Sequence, residues 1–422
     1  MLVAAIFITI VLGIAFMPLL IPYLLLGYMA LNGLSSRDYI GQLKVVVGNI
    51  NIYFLDLLYA TMAILALFGL LRLVFSAGSR KVTASIQRTL ILVLFYIIFF
   101  VIKFVEGYFE HVPLDTLIRL FSSDTQCIYL FLPLLFLDNK KQLKNLLLFV
   151  IAISLLFPIG QPFLFGSSDQ LAIQQGQGTL RLGYGDANIF LAMGAFAFLV
   201  WERRVWLSAL PMAGIVMLTH RSAYIAVTTA IMMIFSLRKK KMKSILVIGL
   251  SGAVALAVLI VIQNTTNIPL IEKSMVRFSE TFESTGTTKA RIGVIPVAFS
   301  ELSKRPVAGL TYREVNDLQR KERLDSNVFN ILHPHNFFLS SIMKTGTIGT
   351  FLLMFLIARV LLFSYRLAKQ EATSQVGVYL FACQIFFILF ALMNTTFGSA
   401  GYVFWILSGI TFWYTNQIQI ER

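Results

Sequence analysis

The sequence predicts an all-α, polytopic membrane protein with about twelve transmembrane helices and one large outer loop. Three observations carry that reading. Of 422 residues, 58% are hydrophobic and only 13% charged, whereas a soluble domain is about half apolar and about a quarter charged. The apolar residues are gathered into blocks, most of them near the roughly 20 residues needed to cross a hydrocarbon core of about 30 Å. The basic residues fall in alternate connections between those blocks, the pattern that fixes orientation in a membrane.

The blocks read as spans are 2–26, 52–71, 89–110, 114–137, 145–165, 187–201, 205–219, 222–237, 244–263, 336–358, 376–393 and 398–415. An even number of spans puts both termini on one side. The segments 187–201 and 205–219 are short, which implies tilt or deep packing among neighbours. The first block lacks a basic leader and a small-residue cleavage site, so it reads as a retained helix and not a signal peptide.

Lysine and arginine in the short loops set the sidedness. One set of alternate loops carries Arg72, Arg80, Lys81 and Arg88, then Lys140, Lys141 and Lys144, then Arg203 and Arg204. It continues with Arg238 to Lys241 and Lys243, then Arg359, Arg366 and Lys369. The opposite short loops hold only Arg37, Lys44, Arg119, Arg181 and Arg221. The basic set is therefore expected to be cytoplasmic, with both termini. The net charge of +15 would suggest nucleic acid in a soluble protein; here it resides in loops that meet anionic lipid.

That topology divides the chain into 1–263, a first set of nine spans; 264–335, a hydrophilic segment outside the cytoplasm; and 336–422, three final spans. Within the segment, Ile292, Ile295, Phe299 and Leu302 recur at helical spacing, which predicts an amphipathic helix over 290–302 lying on the membrane part. Lys304-Arg305-Pro306 ends it. The charges from Arg313 to Asp325 predict a second, solvated helix.

Polar residues at or near membrane depth are functional candidates, because burying them unpaired is costly. Arg181 precedes Gly183-Tyr184-Gly185-Asp186 and Asn188, which make either a substrate-facing turn with a cationic anchor or an ordinary helix start capped by Asp186. His220 and Arg221 sit where two spans turn with almost no loop; an arginine there either grips phosphate through two hydrogen bonds or reaches to lipid head groups. Arg291 opens the amphipathic helix and alone says little. His333-Pro334-His335-Asn336 stands just before a span and holds two of the four histidines. Histidine can take a proton from a hydroxyl near neutral pH, and His335 or Asn336 can also cap the following helix. Lys103 and Glu106, three apart inside a span, are expected to pair with each other.

Several classes are disfavoured. Cys127 and Cys383 lie in apolar blocks and give neither a disulfide framework nor metal-ligand spacing. Two histidines without a nearby carboxylate or thiolate make a poor zinc site. The sequence contains no Walker A loop, no Asp-x-Asp, no Gly-x-Ser-x-Gly and no His-Glu-x-x-His.

The succession Leu218-Thr219-His220-Arg221-Ser222-Ala223-Tyr224, Lys289-Ala290-Arg291, Lys304-Arg305-Pro306-Val307-Ala308-Gly309, His335-Asn336-Phe337-Phe338-Leu339 and Gly346-Thr347-Ile348-Gly349 resembles the O-antigen ligase and polymerase superfamily. Those are bacterial membrane glycosyltransferases that use undecaprenyl-diphosphate-linked glycans. The resemblance covers about 181–349 and rests on order and spacing, since each motif is short. It implies a membrane glycosyltransferase fold of the GT-C-like type, in the inner membrane, with an outer loop closing over a periplasmic cavity. It implies that Arg221 and Arg291 hold the donor diphosphate, that His335 is the catalytic base, and that Asn336 orients His335 or caps its helix. Arg181, His220 and His333 are supporting candidates, and no metal or cofactor is implied. A residue smaller than His220 is more usual before that arginine, which bears on the shape of the turn. The acceptor is then lipid A–core for a ligase or the next lipid-linked repeat unit for a polymerase; the doublet at 333–336 leans to the ligase. A flippase for the same lipid-linked sugars is the rival of another class. It would show pseudo-symmetric halves with interrupted helices, and no such symmetry is visible in the sequence.

Overall fold

Helix α1, Ala84–Phe109, buries one stripe and exposes the other. Ile86, Leu90, Val93, Tyr96, Phe100, Lys103 and Gly107 face inward, recurring at the three- and four-residue steps of one helical face. The opposite face carries Ile91, Leu94, Phe95, Ile98, Ile102, Val105 and Phe109, with Ile102 63% exposed and Phe109 74%. In water an apolar stripe of that extent would be a binding or aggregation surface. With lipid as solvent it is the expected outer face of a spanning helix.

The computed structural model describes 83–164, 187–201, 205–217, 221–238, 302–324, 336–393 and 396–421, a hairpin at 44–53, and scattered positions between 23 and 65 and between 249 and 300. The hairpin pairs Lys44–Val47 (β1) with Ile50–Tyr53 (β2) antiparallel, Lys44 opposite Tyr53. It takes up the first two residues of the span expected at 52–71 and is a small departure from an all-helical chain.

The remaining described elements are helical. Leu114–Asp124 is α2, followed by a 3₁₀ turn at Gln126–Leu130 and by Phe131–Phe136, α3. Then come α4 at Lys140–Leu164, α5 at Ala187–Trp201, α6 at Ala209–Met217 and α7 at Arg221–Leu237. Tyr312–Leu324 is α8, Phe337–Lys369 α9, Ser374–Leu392 α10 and Thr396–Glu421 α11. Among the described residues, α1, α9 and α10 are each long and apolar enough to cross a membrane.

Two expected spans come out differently. The block 114–137 is not one rod but α2, the turn and α3 in succession. The Thr125 hydroxyl donates to Phe121 O at 2.6 Å, closing the end of α2 with a side-chain bond that competes with further helix. The block 336–358 runs on to Lys369 and is broken inside by Gly346, at φ 62° and ψ −162°. Arg359, Arg366 and Lys369, assigned above to a loop, therefore lie on α9.

The core is centred on α5 and α10. Nearly every residue of α5 is buried, as in a helix apolar all round and surrounded by others; α4, α6, α7 and α10 pack on it. Apolar burial gives little drive between helices when lipid is the alternative, so close packing and polar ties specify the arrangement. Arg359 on α9 donates through Nη2 to Ser85 O at 2.8 Å and to the Thr89 hydroxyl at 3.1 Å, tying α9 to the first turns of α1. Trp413 Nε1 donates to Leu137 O at 2.6 Å, tying α11 to the end of α3. Gln384 Nε2 donates to the Thr411 hydroxyl at 2.9 Å, joining α10 to α11. Arg238 Nη2 donates to Val200 O at 2.6 Å, satisfying a carbonyl in the last turn of α5, where a cation also suits the helix dipole.

These ties fix which helix ends coincide. Arg238 sets the end of α7 beside the end of α5. Trp201 and Tyr379, with ring centroids 5.1 Å apart, set the end of α5 beside the start of α10. The short connection from Lys369 to Ser374 brings the end of α9 to the same level. From that level α7 runs back for 17 residues and α9 for 33, so the start of α9 reaches further than that of α7.

Candidate functional site

Of the seven site residues expected from the sequence, Arg221 and Asn336 fall among the described residues. Arg221 is the first residue of α7. Asn336 is the N-cap of α9: its backbone is extended (φ −143°, ψ 109°) and its Oδ1 accepts from Leu339 N at 3.1 Å. The cap satisfies one of the four amides that a helix start leaves without partners. Arg181, His220, Arg291, His333 and His335 lie outside the described residues.

At the tenth residue of α9 lies a joint that the motifs did not explain. The chain from Arg305 to Leu310 threads into the break of α9 at Gly346. Leu310 N donates to Met343 O at 2.9 Å, Thr347 N to Pro306 O at 2.9 Å and Ile348 N to Val307 O at 3.2 Å. The first half of α9 thus gives up terminal carbonyls and the second half its first amides, and the incoming segment answers both. Irregular backbone at this depth survives only when its polar groups are met within the protein.

Gly309, at φ 71°, and Gly346, at φ 62°, make the close approach possible. A Cβ on Gly309 would stand 2.4 Å from Gly346 N, and one on Gly346 would stand 2.4 Å from Val307 O. Both obstacles are backbone atoms, which cannot swing aside.

Lys103 closes the joint from α1. It is 4% exposed; its ammonium donates to Leu310 O at 2.7 Å and also to Lys344 O. Its Nζ lies 5.4 Å from the centre of the Phe99 ring, a cation–π distance. A cation at the last carbonyls of a half-helix is favoured by the dipole as well. The expected pairing of Lys103 with Glu106 is not what forms: Glu106 Oε1 is 3.6 Å from Arg305 Nη1. Three-residue spacing made the two possible neighbours, but Lys103 is turned inward to the break while Glu106 reaches the incoming segment. Lys103→Met keeps the volume and removes the donor. It is expected to leave Leu310 O and Lys344 O unsatisfied and to cost about 2 kcal/mol or more, read as a lower thermal unfolding midpoint in detergent. An unchanged midpoint would show that the ammonium does not hold the joint.

Arg305 also approaches Glu314 Oε1, Nε at 3.4 Å. With these side chains 36–45% exposed, each pair is worth about 0–1 kcal/mol. Thr311 and Glu314 form a reciprocal cap at the start of α8: Thr311 N donates to Glu314 Oε2 at 2.8 Å and Glu314 N to Thr311 Oγ1 at 3.2 Å. Behind the joint, Lys344 Nζ lies 3.5 Å from Asp124 Oδ1, the two side chains 12% and 10% exposed. Removing one partner of such a buried pair costs about 3–5 kcal/mol. Burial first, then the Asp124 carboxylate, pushes the Tyr312 phenol well above its usual range. The sequence motifs held Gly309 and Gly346 without a role for either; Asp124 and Lys344 carried no signal beyond being charges near apolar blocks.

Apolar faces turned outward, an intramembrane charge spent on internal carbonyls and a helix broken within the bundle define a helical membrane protein. Residues 205–354 match the family model described as O-Antigen ligase, and over that part of the chain the match supports a likeness to the O-antigen ligase superfamily. No curated protein matches the chain. The matched stretch contains Arg221, Arg291, His335 and both backbone segments of the joint, and leaves Arg181 and Lys103 outside it.

Proposed function

We propose that the protein transfers a glycan from undecaprenyl diphosphate to a sugar hydroxyl, with lipid A–core as the acceptor. The observation that carries this reading is the family match over 205–354, which spans the three proposed reacting groups together. In support, Arg221 opens α7 and Asn336 caps the start of α9.

His335 accepts the proton of the acceptor hydroxyl as that oxygen attacks the anomeric carbon. The anomeric C–O bond to the diphosphate breaks as the new one forms, so configuration inverts. The departing diphosphate takes the electron pair, and Arg221 and Arg291 hold its charge through preorganised, two-pronged contacts without a metal. Asn336 holds the helix that follows His335. Arg181, His220 and His333 are supporting groups. In this reading 264–335 is periplasmic, both termini are cytoplasmic, and the membrane is the bacterial inner membrane.

The test is transfer by purified protein in detergent, from an undecaprenyl-diphosphate glycan, with lipid A–core or a second lipid-linked unit as acceptor and neither metal nor ATP added. Glycan appearing on lipid A–core is the expected result. Lengthening on undecaprenyl diphosphate instead would make the protein a polymerase. No transfer with any donor would return the flippase reading.

A further inference from the structure

The break at Gly346 divides α9 into a short first half, Phe337 to Thr345, and a long second half. The first half does not inherit its direction from the second, because the helix is interrupted between them. Three polar contacts hold its end. Leu310 N donates to Met343 O at 2.9 Å, the Lys103 ammonium donates to Lys344 O, and the Thr345 hydroxyl meets that of Thr350 across the break at 3.1 Å. Contacts gathered at one end of a rod fix that end and leave its tilt open. The Lys344 side chain acts differently, because it leaves the rod sideways and meets Asp124 Oδ1 at 3.5 Å, on the last residue of α2. Asp124 is in turn within electrostatic reach of Lys103 on α1 and of Tyr312 on α8. Ser340, Ser341 and Met343 are buried, so close packing works beside this polar tie, as it must where lipid is the alternative.

We propose that Lys344 and Asp124 are positioning residues for the candidate site: the pair sets the tilt of the first half of α9, and so the place of Asn336 and of His335, which precedes it in the chain. The inference rests on the glycosyl-transfer reading of His335. The half-helix is a lever. From Lys344 back to Asn336 is about 12 Å along the axis at 1.5 Å per residue, so a tilt of about 5° moves the capped start by about 1 Å. A displacement of that size can cost about 10²-fold in rate. The two side chains are 12% and 10% exposed, and a pair so buried keeps its geometry where an exposed one is screened by salt and loosened by water. Neither residue is assigned to the donor or the acceptor, so the effect falls on turnover of the bound complex and not on donor binding.

The experiment uses the purified full chain in detergent, with an undecaprenyl-diphosphate glycan and the acceptor that takes it in the transfer assay. It reads kcat, donor KM and the thermal midpoint. Lys344→Met and Asp124→Leu each strand a buried charge and are expected to lower the midpoint. Asp124→Leu/Lys344→Met removes both charges together. Exchange of a buried pair for apolar residues of similar volume is often neutral or stabilising, so its midpoint should return to the wild-type value. Its kcat is expected to stay about 10²-fold low, with donor KM within about twofold of wild type. Asp124→Glu keeps the charge and lengthens the tie by one methylene; it should hold the midpoint and lower kcat about tenfold. Recovery of kcat along with the midpoint in the double variant would show that the pair only stabilises the fold, and would overturn the inference. A raised donor KM at unchanged kcat would overturn it as well. Where the double variant does not regain its midpoint, full kcat in Asp124→Glu decides against the inference and a lowered kcat decides for it. No transfer by the wild type removes the glycosyl-transfer reading and the inference with it, whereas wild-type transfer beside an undiminished double variant removes the inference alone.

Discussion

Gly346→Ala is expected to cost about 3 kcal/mol or more and to open the joint between the 305–310 segment and α9. Two costs add at this position. The backbone, at φ 62° and ψ −162°, occupies a region that is essentially restricted to glycine. The new Cβ would also stand 2.4 Å from Val307 O and 2.5 Å from Gly309 N, so relief requires the threaded segment to withdraw. Withdrawal leaves Met343 O, Thr347 N and Ile348 N without the partners they now have. The check is the thermal midpoint of the purified variant beside Gly252→Ala, where an added Cβ meets nothing within 4 Å. The control should hold or gain slightly, since alanine is the better helix former by about 1 kcal/mol. Equal midpoints for wild type and Gly346→Ala would mean that the break does not depend on the missing side chain.

His335→Ala is expected to lower glycan transfer by about 10²–10⁴-fold, the usual contribution of a positioned general base, with an unchanged thermal midpoint. The two readouts are separable because Asn336, not its neighbour, supplies the cap bond to Leu339 N. A substitution acting through the helix start would move the midpoint, as loss of a cap costs about 1 kcal/mol. Transfer within a few fold of wild type would remove His335 from the reaction and leave the proton to another acceptor.

The spans most legible in the sequence were those whose outer faces meet lipid or whose whole surface is apolar. The block expected at 187–201 coincides with α5, and 376–393 with α10 to within two residues. Hydropathy averages over turns, so it could not register a single residue at positive φ. The break at Gly346 was invisible for that reason, and the division of 114–137, made without a positive φ, was hidden because its turn is as apolar as the helices it joins. Pairings set by tertiary contact escaped for another. Lys103 meets partners 207 and 241 residues away, while local spacing offered only Glu106. In the candidate site, the cap by Asn336 was readable because N-capping is a local bond between a short polar side chain and an amide three residues on. Arg221 was readable as a residue at a turn between apolar blocks, and α7 does begin there. The approach of Gly309 to Gly346 was not, because only the fold brings those two short motifs together.

The route of the lysine at the joint bears on how the protein is made. Lys103 leaves the ribosome some two hundred residues before Leu310, and Lys344 later still, so α1 enters the bilayer carrying an ammonium whose eventual acceptors do not yet exist. A lysine at the centre of a nascent span costs about 2.5–3.5 kcal/mol on insertion scales, and one in its last third, as Lys103 is in α1, costs less; each leucine, isoleucine, phenylalanine or valine returns about 0.3–0.6. The density of those residues in α1 therefore does more than face lipid; it carries an unmatched charge across the translocon until the final third of the chain arrives. Truncation before residue 344 would leave that charge stranded, and the early helices would wait in the membrane as an unfinished assembly.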